Sequence, residues 1–360
     1  MKILIVQDYL RSGGTERQSV LLANAFRGAG HDTTLLTFRP GGTLASTVNP
    51  NVRRVALQAT DTNLDWFTPR FTHTVQKLRP DIILCMGRMA NCYAGGLQKI
   101  CPRSSVIATM RTGKSLPWLF RRSLQRVRQV IANSHDARSV LIEHHHIPAG
   151  KITVIHNSLV FPAEATLDRN EALRARHGAT AKTSVLLCVA MFRPEKNQRE
   201  LIETAATFPP EFDWQLWLAG DGSAREACEK LAAAKQFRNR VVFPGFLRDP
   251  SPLYQAADIA VHASASESLS NFLIEAQAHG LPAVAYAARG ISETFLPDRT
   301  GWEIPRGNRV AFRERIKLLA HEPVAARETR AAEARTFARS TFEPSGQVAR
   351  YLELFAALRA

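Results

Sequence analysis

No apolar run in the 360 residues approaches the ~20 needed to cross a bilayer, and Met1–Val6 is too short for a secretory signal, so a cytoplasmic chain is expected. Cysteine is scarce. Cys85, Cys92, Cys101, Cys188 and Cys228 form no Cys-x-x-Cys and no even framework, which argues against structural disulfides and thiolate zinc; Cys188, inside an apolar run, reads as a small core residue. No Gly-x-Gly-x-x-Gly follows the first apolar run, which disfavours a dinucleotide-dependent oxidoreductase. Aromatic residues rarely interleave with basic ones and no recognised nucleic-acid motif is present, so no nucleic-acid partner is expected. Acidic residues are sparse in one half only. Residues 1–160 carry 21 Lys+Arg and 8 Asp+Glu, net +13, whereas residues 161–360 carry 26 and 24, net +2. A basic half implies an anionic partner: by charge alone a membrane surface, a charged lipid-linked acceptor or nucleic acid.

What is present is the rhythm of parallel α/β layers: short apolar runs alternating with helix-period segments. In the first half the runs Lys2–Gln7, Asp32–Thr37, Ile82–Cys85, Ser105–Thr109, Val130–Ala132 and Ile152–Ile155 predict strands, with helices over Glu16–Arg27 and Ala137–His144 among those between them. The second half repeats the rhythm with Ser184–Ala190, Trp214–Ala219, Val241–Phe243, Ile259–His262 and Ala283–Tyr286. The polar stretch 157–183, containing Pro162, separates them. Two Rossmann-like, doubly wound domains are therefore expected, 1–158 and 159–343. The apolar positions Val348, Tyr351, Leu352, Phe355 and Leu358 predict a last helix within 344–360 that packs back on the first domain. Such domains bind ligands at the carboxyl ends of their strands. The polar and glycine clusters fall there: Ser12-Gly13-Gly14-Thr15-Glu16, Phe192–Asn197, Gly220-Asp221-Gly222 and Ala263–Asn271, loops expected to converge on one central cleft.

The most informative segment is residues 264–284, where Glu267 ends a hydroxyl-rich loop and Glu275 lies on the second turn of a helix expected to begin around Ser268–Phe272. At about 1.5 Å of rise per residue the two carboxylates are about 10–12 Å apart, roughly the span from ribose to sugar in a nucleotide-sugar. Free N–H groups and the positive dipole end at the helix start suit phosphate between them. The spacing alone decides nothing, since Glu195/Glu203, Glu203/Glu211 and Glu314/Glu322 repeat it.

With Gly13-Gly14, Ile131-Ala132-Asn133-Ser134, Val189–Asn197, Leu218–Gly222, Val242–Gly245, Leu253–Asp258, Glu267–Asn271, Glu275-Ala276 and Gly280-Leu281-Pro282 in this order, the chain resembles the family 4 retaining glycosyltransferases of GT-B fold, nearly end to end. The resemblance implies that Glu275 takes the ribose hydroxyls and that Glu267 contacts the donor sugar. It implies that Ser268, Leu269, Ser270, Asn271 and Phe272 offer backbone N–H groups to sugar and diphosphate, and that Lys196 neutralises the leaving diphosphate. The resemblance further implies that Gly13 and Gly14 let backbone approach the phosphates, although Gly-Gly by itself reads as a turn, and that Gly220 and Gly222 belong to the same donor set. Two places depart from the family: Met191 stands where an arginine is usual, with Arg193 either the substitute cation or a surface residue, and Met110-Arg111-Thr112 replaces a frequent histidine. Arg111, with Glu16, is the candidate for the acceptor; alternatively Arg111 binds a donor phosphate or caps its strand end. The implied reaction is a retaining transfer from a UDP-sugar, with GDP second, to a lipopolysaccharide- or exopolysaccharide-type acceptor received by the first domain. No Asp-x-Asp occurs to bridge a metal to a diphosphate, so no metal or other cofactor is expected. The alternative is a basic nucleic-acid- or membrane-binding protein on the same fold without transferase activity; an epimerase or a phosphorylase is a further competitor, but no pyridoxal-lysine signature is present.

Two segments stay open on sequence alone. Trp118, Leu119 and Phe120 with Arg121, Arg122, Arg126 and Arg128, within 116–130, fit either a peripheral helix on an anionic membrane, at its cytoplasmic face, or an ordinary amphipathic helix. The run His144–His146 reads as a solvated helix end, because consecutive residues on a helix do not converge on a metal. Asp61, Asp65 and Asp81 read as surface or strand-start residues.

Overall fold

The computed structural model describes residues 1–159, 161 and 168–359, so Pro162 lies outside the described residues. Two compact units emerge, Met1–Ser158 with Pro344–Ala360, and Leu159–Glu343. The first holds a seven-stranded sheet of β1 (Lys2–Gln7), β2 (Asp32–Thr37), β3 (Arg53–Ala56), β4 (Ile82–Cys85), β5 (Ser105–Met110), β6 (Gln129–Ala132) and β7 (Ile152–Val154), ordered β3-β2-β1-β4-β5-β6-β7. Every pairing in it is parallel. The second holds β8 (Ser184–Val189), β9 (Trp214–Ala219), β10 (Val241–Gly245), β11 (Ile259–His262), β12 (Ala283–Tyr286) and β13 (Gly301–Ile304), again all parallel, ordered β10-β9-β8-β11-β12-β13. The expected doubly wound α/β class is found in both units.

The central strands are apolar without alternation because helices cover both faces of a parallel sheet. Ile3, Leu4, Ile5 and Val6 are all buried, Leu4 and Val6 in one cluster and Ile3 and Ile5 in another. The two strands that the sequence pattern did not reveal lack that signature. β3 reads Arg-Arg-Val-Ala on the sheet edge with only Val55 part-buried, and β13 reads Gly-Trp-Glu-Ile with Glu303 exposed. The expected helices run over Gly14–Gly28 and His135–Glu143, the latter capped by Ser134 Oγ, which accepts from the Ala137 N–H at 3.0 Å. His144 follows as the exposed C-cap.

The helix Pro344–Ala357 completes the core of the first unit, as its apolar pattern predicts. Val348, Tyr351 and Phe355 are buried beside Phe26, with edge-on ring contacts of 6.0 Å to Tyr351 and 5.5 Å to Phe355.

In each sheet the winding direction reverses once, between β1 and β4 and between β8 and β11. Those switch points are where such folds form ligand crevices. The two are furnished differently. Between β1 and β4 the Asp8 carboxylate accepts from the Met89 and Ala90 N–H groups at 2.9 and 2.8 Å, capping the helix Arg88–Ile100, and a Cβ on Gly87 would lie 2.2 Å from Asp8 Oδ1. An internal anion thus occupies that helix start. Burial, opposed by these two hydrogen bonds, raises the Asp8 carboxyl to about 6.

Candidate functional site

The second switch point carries a charged cluster. β8 ends into the turn Pro194–Lys196, and β11 ends at His262, whose loop runs through Ala263–Ser270 to the helix Asn271–Ala278. The Glu195 carbonyl joins the two loops, accepting from the Ala265 N–H at 2.7 Å and from Ser264 Oγ at 3.2 Å. Across this junction Glu267 Oε1 meets Lys196 Nζ at 2.5 Å and His262 Nε2 at 3.0 Å. Glu267 is only 9% exposed. Burial alone would raise its pKa, but the His262 hydrogen bond and the Lys196 charge outweigh it and hold the carboxyl at about 2. Lys196 and Glu267, assigned from sequence to different parts of a ligand, here neutralise each other.

His262 is the functional candidate that sequence reasoning missed. It is buried, its Nε2 faces Glu267 and its Nδ1 has no partner. At the end of an apolar strand it looks like an ordinary core position; the one signal that marks it is a titratable residue five before Glu267, at the carboxyl end of a strand.

Glu275 lies on the helix, half-buried, with Tyr254 Oη donating to its Oε2 at 2.6 Å. Ser268, Leu269 and Ser270 are buried in the loop, Ser270 is the N-cap, and Asn271 and Phe272 open the helix, so the expected helix start stands. The N–H groups of a first turn have no intrahelical acceptor. A Cβ on Gly290, where φ is +69°, would lie 2.1 Å from the Ser268 carbonyl oxygen, so only glycine lets the loop after β12 hold this segment in place.

The remaining expected residues have the following local settings. Arg193 is exposed and no guanidinium contact joins it to Glu267 among the described residues; Met191 is 41% exposed. Gly220 and Gly222 serve the backbone. With φ of +133° and +145°, they let the loop after β9 pass over residues 190–192, where a Cβ would come within 2.0 Å of the Ala190 oxygen and 2.4 Å of the Phe192 oxygen. Gly13, Gly14, Glu16 and Arg111 belong to the first unit. Gly13 is the N-cap of Gly14–Gly28 at an ordinary φ of −72°, with the Glu16 carboxylate folded over it. Arg111 ties the end of β5 to Asn157 Oδ1 and Tyr351 Oη, both at 2.5 Å. Asp61 and Asp65 are more than surface residues: both pair with the buried Arg39, at 2.7 and 3.0 Å, pinning their loop.

Residues 12–159 match the family model for Glycosyltransferase Family 4, and residues 169–337 the model for Glycosyl transferases group 1. EpsD of Bacillus subtilis is 32% identical over 181 residues, 49% of this chain and 47% of EpsD. The lipopolysaccharide core biosynthesis glycosyltransferase LpsE of Rhizobium meliloti is 30% identical over 146 residues, 41% of this chain and 42% of LpsE. The chain thus spans less than half the length of these curated relatives. The crystal structure of HepE from Anabaena in complex with UDP superimposes with a TM-score of 0.83 at 22% identity, covering 99% of this chain and 100% of HepE, a likeness of fold. Two consecutive family domains laid over two parallel doubly wound sheets admit one assignment: the chain belongs to the family 4 glycosyltransferases and has their GT-B fold.

Proposed function

We propose that this chain is a retaining, metal-independent hexosyltransferase that moves a sugar from a nucleoside-diphosphate sugar, UDP-linked in preference to GDP-linked, to a lipid-linked or cell-surface glycan. The observation that carries the reading is the Lys196–Glu267–His262 cluster at the β8/β11 switch point, followed within one helix by Glu275. HepE, whose structures hold UDP and UDP-glucose, supports the choice of nucleotide, and LpsE the class of acceptor.

In this reading Glu275 takes the ribose hydroxyls and the N–H groups of 269–272 face the diphosphate. The bond from the sugar C1 to the phosphate oxygen breaks while the acceptor oxygen bonds C1 on the same face. The acceptor proton passes to the departing phosphate oxygen. Negative charge grows on the diphosphate, and Lys196 is the cation placed to meet it, with preorganised charge often the largest catalytic contribution. Glu267, ionised at neutral pH, orients the sugar and holds Lys196 until the diphosphate competes for it. Metal independence rests on the absence of any Asp-x-Asp.

The test is calorimetric titration with UDP, GDP and ADP in excess chelator. Micromolar binding of one nucleotide, weakened about 10²-fold in Glu275→Ala, is expected; no binding by folded protein would overturn the reading.

The first unit is the side we assign to the acceptor, and its helix Trp118–Arg126 to an anionic membrane face. Trp118 is 59% and Leu119 46% exposed, Arg121, Arg122 and Arg126 face solvent, and Phe120 and Leu124 pack inward. Among the described residues no helix is long and apolar enough to cross a membrane. Sedimentation with vesicles containing anionic lipid should fall about tenfold in Trp118→Ala/Leu119→Ala and vanish on neutral vesicles; equal binding by the variant would remove this assignment. A nucleic-acid-binding protein without transferase activity, the other reading of the charge, gains no specific observation.

A further inference from the structure

We infer that Tyr254 is a positioning residue for Glu275, and that its phenol sets how strongly the chain distinguishes a ribonucleotide from one lacking the 2′ and 3′ hydroxyls. The inference rests on the reading that Glu275 takes the ribose. Tyr254 sits in the short helix Ser251–Ala256 after β10, and is 1% exposed. A buried phenol needs an acceptor for its proton, and a backbone carbonyl would serve. Here the acceptor is the carboxylate of a half-buried glutamate on another element, at 2.6 Å.

The ring is held where that bond requires it. Phe272 and His279, one turn before and one turn after Glu275 on the same face of their helix, both stack on Tyr254. Their centroids lie at 6.1 and 4.7 Å and the interplanar angles are 23° and 20°. His279 is itself oriented by the carbonyl of Glu275: Nδ1 lies 2.8 Å from that oxygen, which can only accept, so Nδ1 carries the hydrogen. Its Nε2 is buried without a partner, which burial tolerates only in the neutral ring, and burial lowers the His279 pKa accordingly. Tyr254, Phe272 and His279 therefore form a stack clipped to Glu275 at its carboxylate and at its backbone. A glutamate side chain is rich in rotamers and loses much entropy when a ligand fixes it. A charge-assisted bond from an immobile phenol removes that cost before the ligand arrives.

Tyr254→Phe keeps the ring and its stacking and deletes only the hydroxyl. The experiment uses the full chain and whichever of UDP, GDP and ADP the wild type binds most tightly, beside the 2′,3′-dideoxy form of that nucleotide. Tyr254→Phe is expected to weaken the ribonucleotide about five- to tenfold and Glu275→Ala about 10²-fold, with both variants within about twofold of wild type toward the dideoxy form. The double variant should bind no more weakly than Glu275→Ala alone. If Glu275→Ala weakens binding and Tyr254→Phe does not, the inference falls and the ribose reading stands. Equal loss toward both nucleotide forms makes Tyr254 a stability residue only and also overturns it. If Glu275→Ala binds as wild type, or no nucleotide binds at all, the underlying reading falls first.

Discussion

Replacing Lys196 by alanine is expected to lower affinity for UDP by about 10²-fold while leaving affinity for uridine within about twofold. Two effects act together. The ion pair proposed between Lys196 and the diphosphate would be lost, and hydrogen bonds to charged groups typically contribute about 1.5–3 kcal/mol. In addition Glu267, whose charge Lys196 neutralises at 2.5 Å, becomes an uncompensated anion beside the phosphates. Uridine carries no phosphate and is indifferent to both. Glu267→Gln supplies the contrast: it releases Lys196 from its partner, so UDP should bind at least as tightly as to wild type. Titration of the two variants with UDP and with uridine decides the matter; an unchanged ratio in Lys196→Ala would remove Lys196 from the diphosphate site.

Acid stability carries the second large effect. In the unfolded chain Glu267 titrates near 4.5, and in the folded chain at about 2. A carboxyl depressed on folding contributes stability that is fully present above the unfolded value and disappears as pH falls through the folded one. Wild type should therefore lose about 2–3 kcal/mol more than Glu267→Gln between pH 6 and pH 2.5, since a tenfold difference in proton affinity between the two states is worth about 1.4 kcal/mol. The glutamine variant is expected to start less stable at pH 7, because Lys196 and His262 lose their charged partner, and to fall less steeply. Denaturant titrations at several pH values measure the difference; parallel curves would mean that Glu267 is not held low.

Most of this architecture is written in the apolar runs. Lys2–Gln7, Asp32–Thr37, Trp214–Ala219, Ile259–His262 and Ala283–Tyr286 become strands with the bounds that their composition implies, because strands buried on both faces declare themselves without help from neighbours. Arg53–Ala56, on a sheet edge, needs no apolar run and leaves none to read. The Glu267 loop and the helix bearing Glu275 were legible from local chemistry: caps, small polar residues and one amphipathic turn. The residues that complete the site were not. His262 and Tyr254 meet partners 5 and 21 residues away, and these pairings appear only once β11 and the helix Ser251–Ala256 bring them to Glu267 and Glu275. Arg111 and the glycines at 220 and 222 also have local settings that sequence does not announce: a tie from the end of β5 to Asn157 and Tyr351, and positive-φ turns over residues 190–192.

The helix Pro344–Ala357 has a consequence for biosynthesis. The first unit needs Val348, Tyr351 and Phe355 to close the face around Phe26, yet the ribosome delivers them only after the whole of Leu159–Glu343. At about 5–20 residues per second this is a delay of about 10–40 s, during which the nascent first unit exposes an apolar face while the second, contiguous in the chain, can already fold. Order of emergence and order of completion are thus inverted, and that temporarily uncovered face is where a chaperone would find this chain during translation.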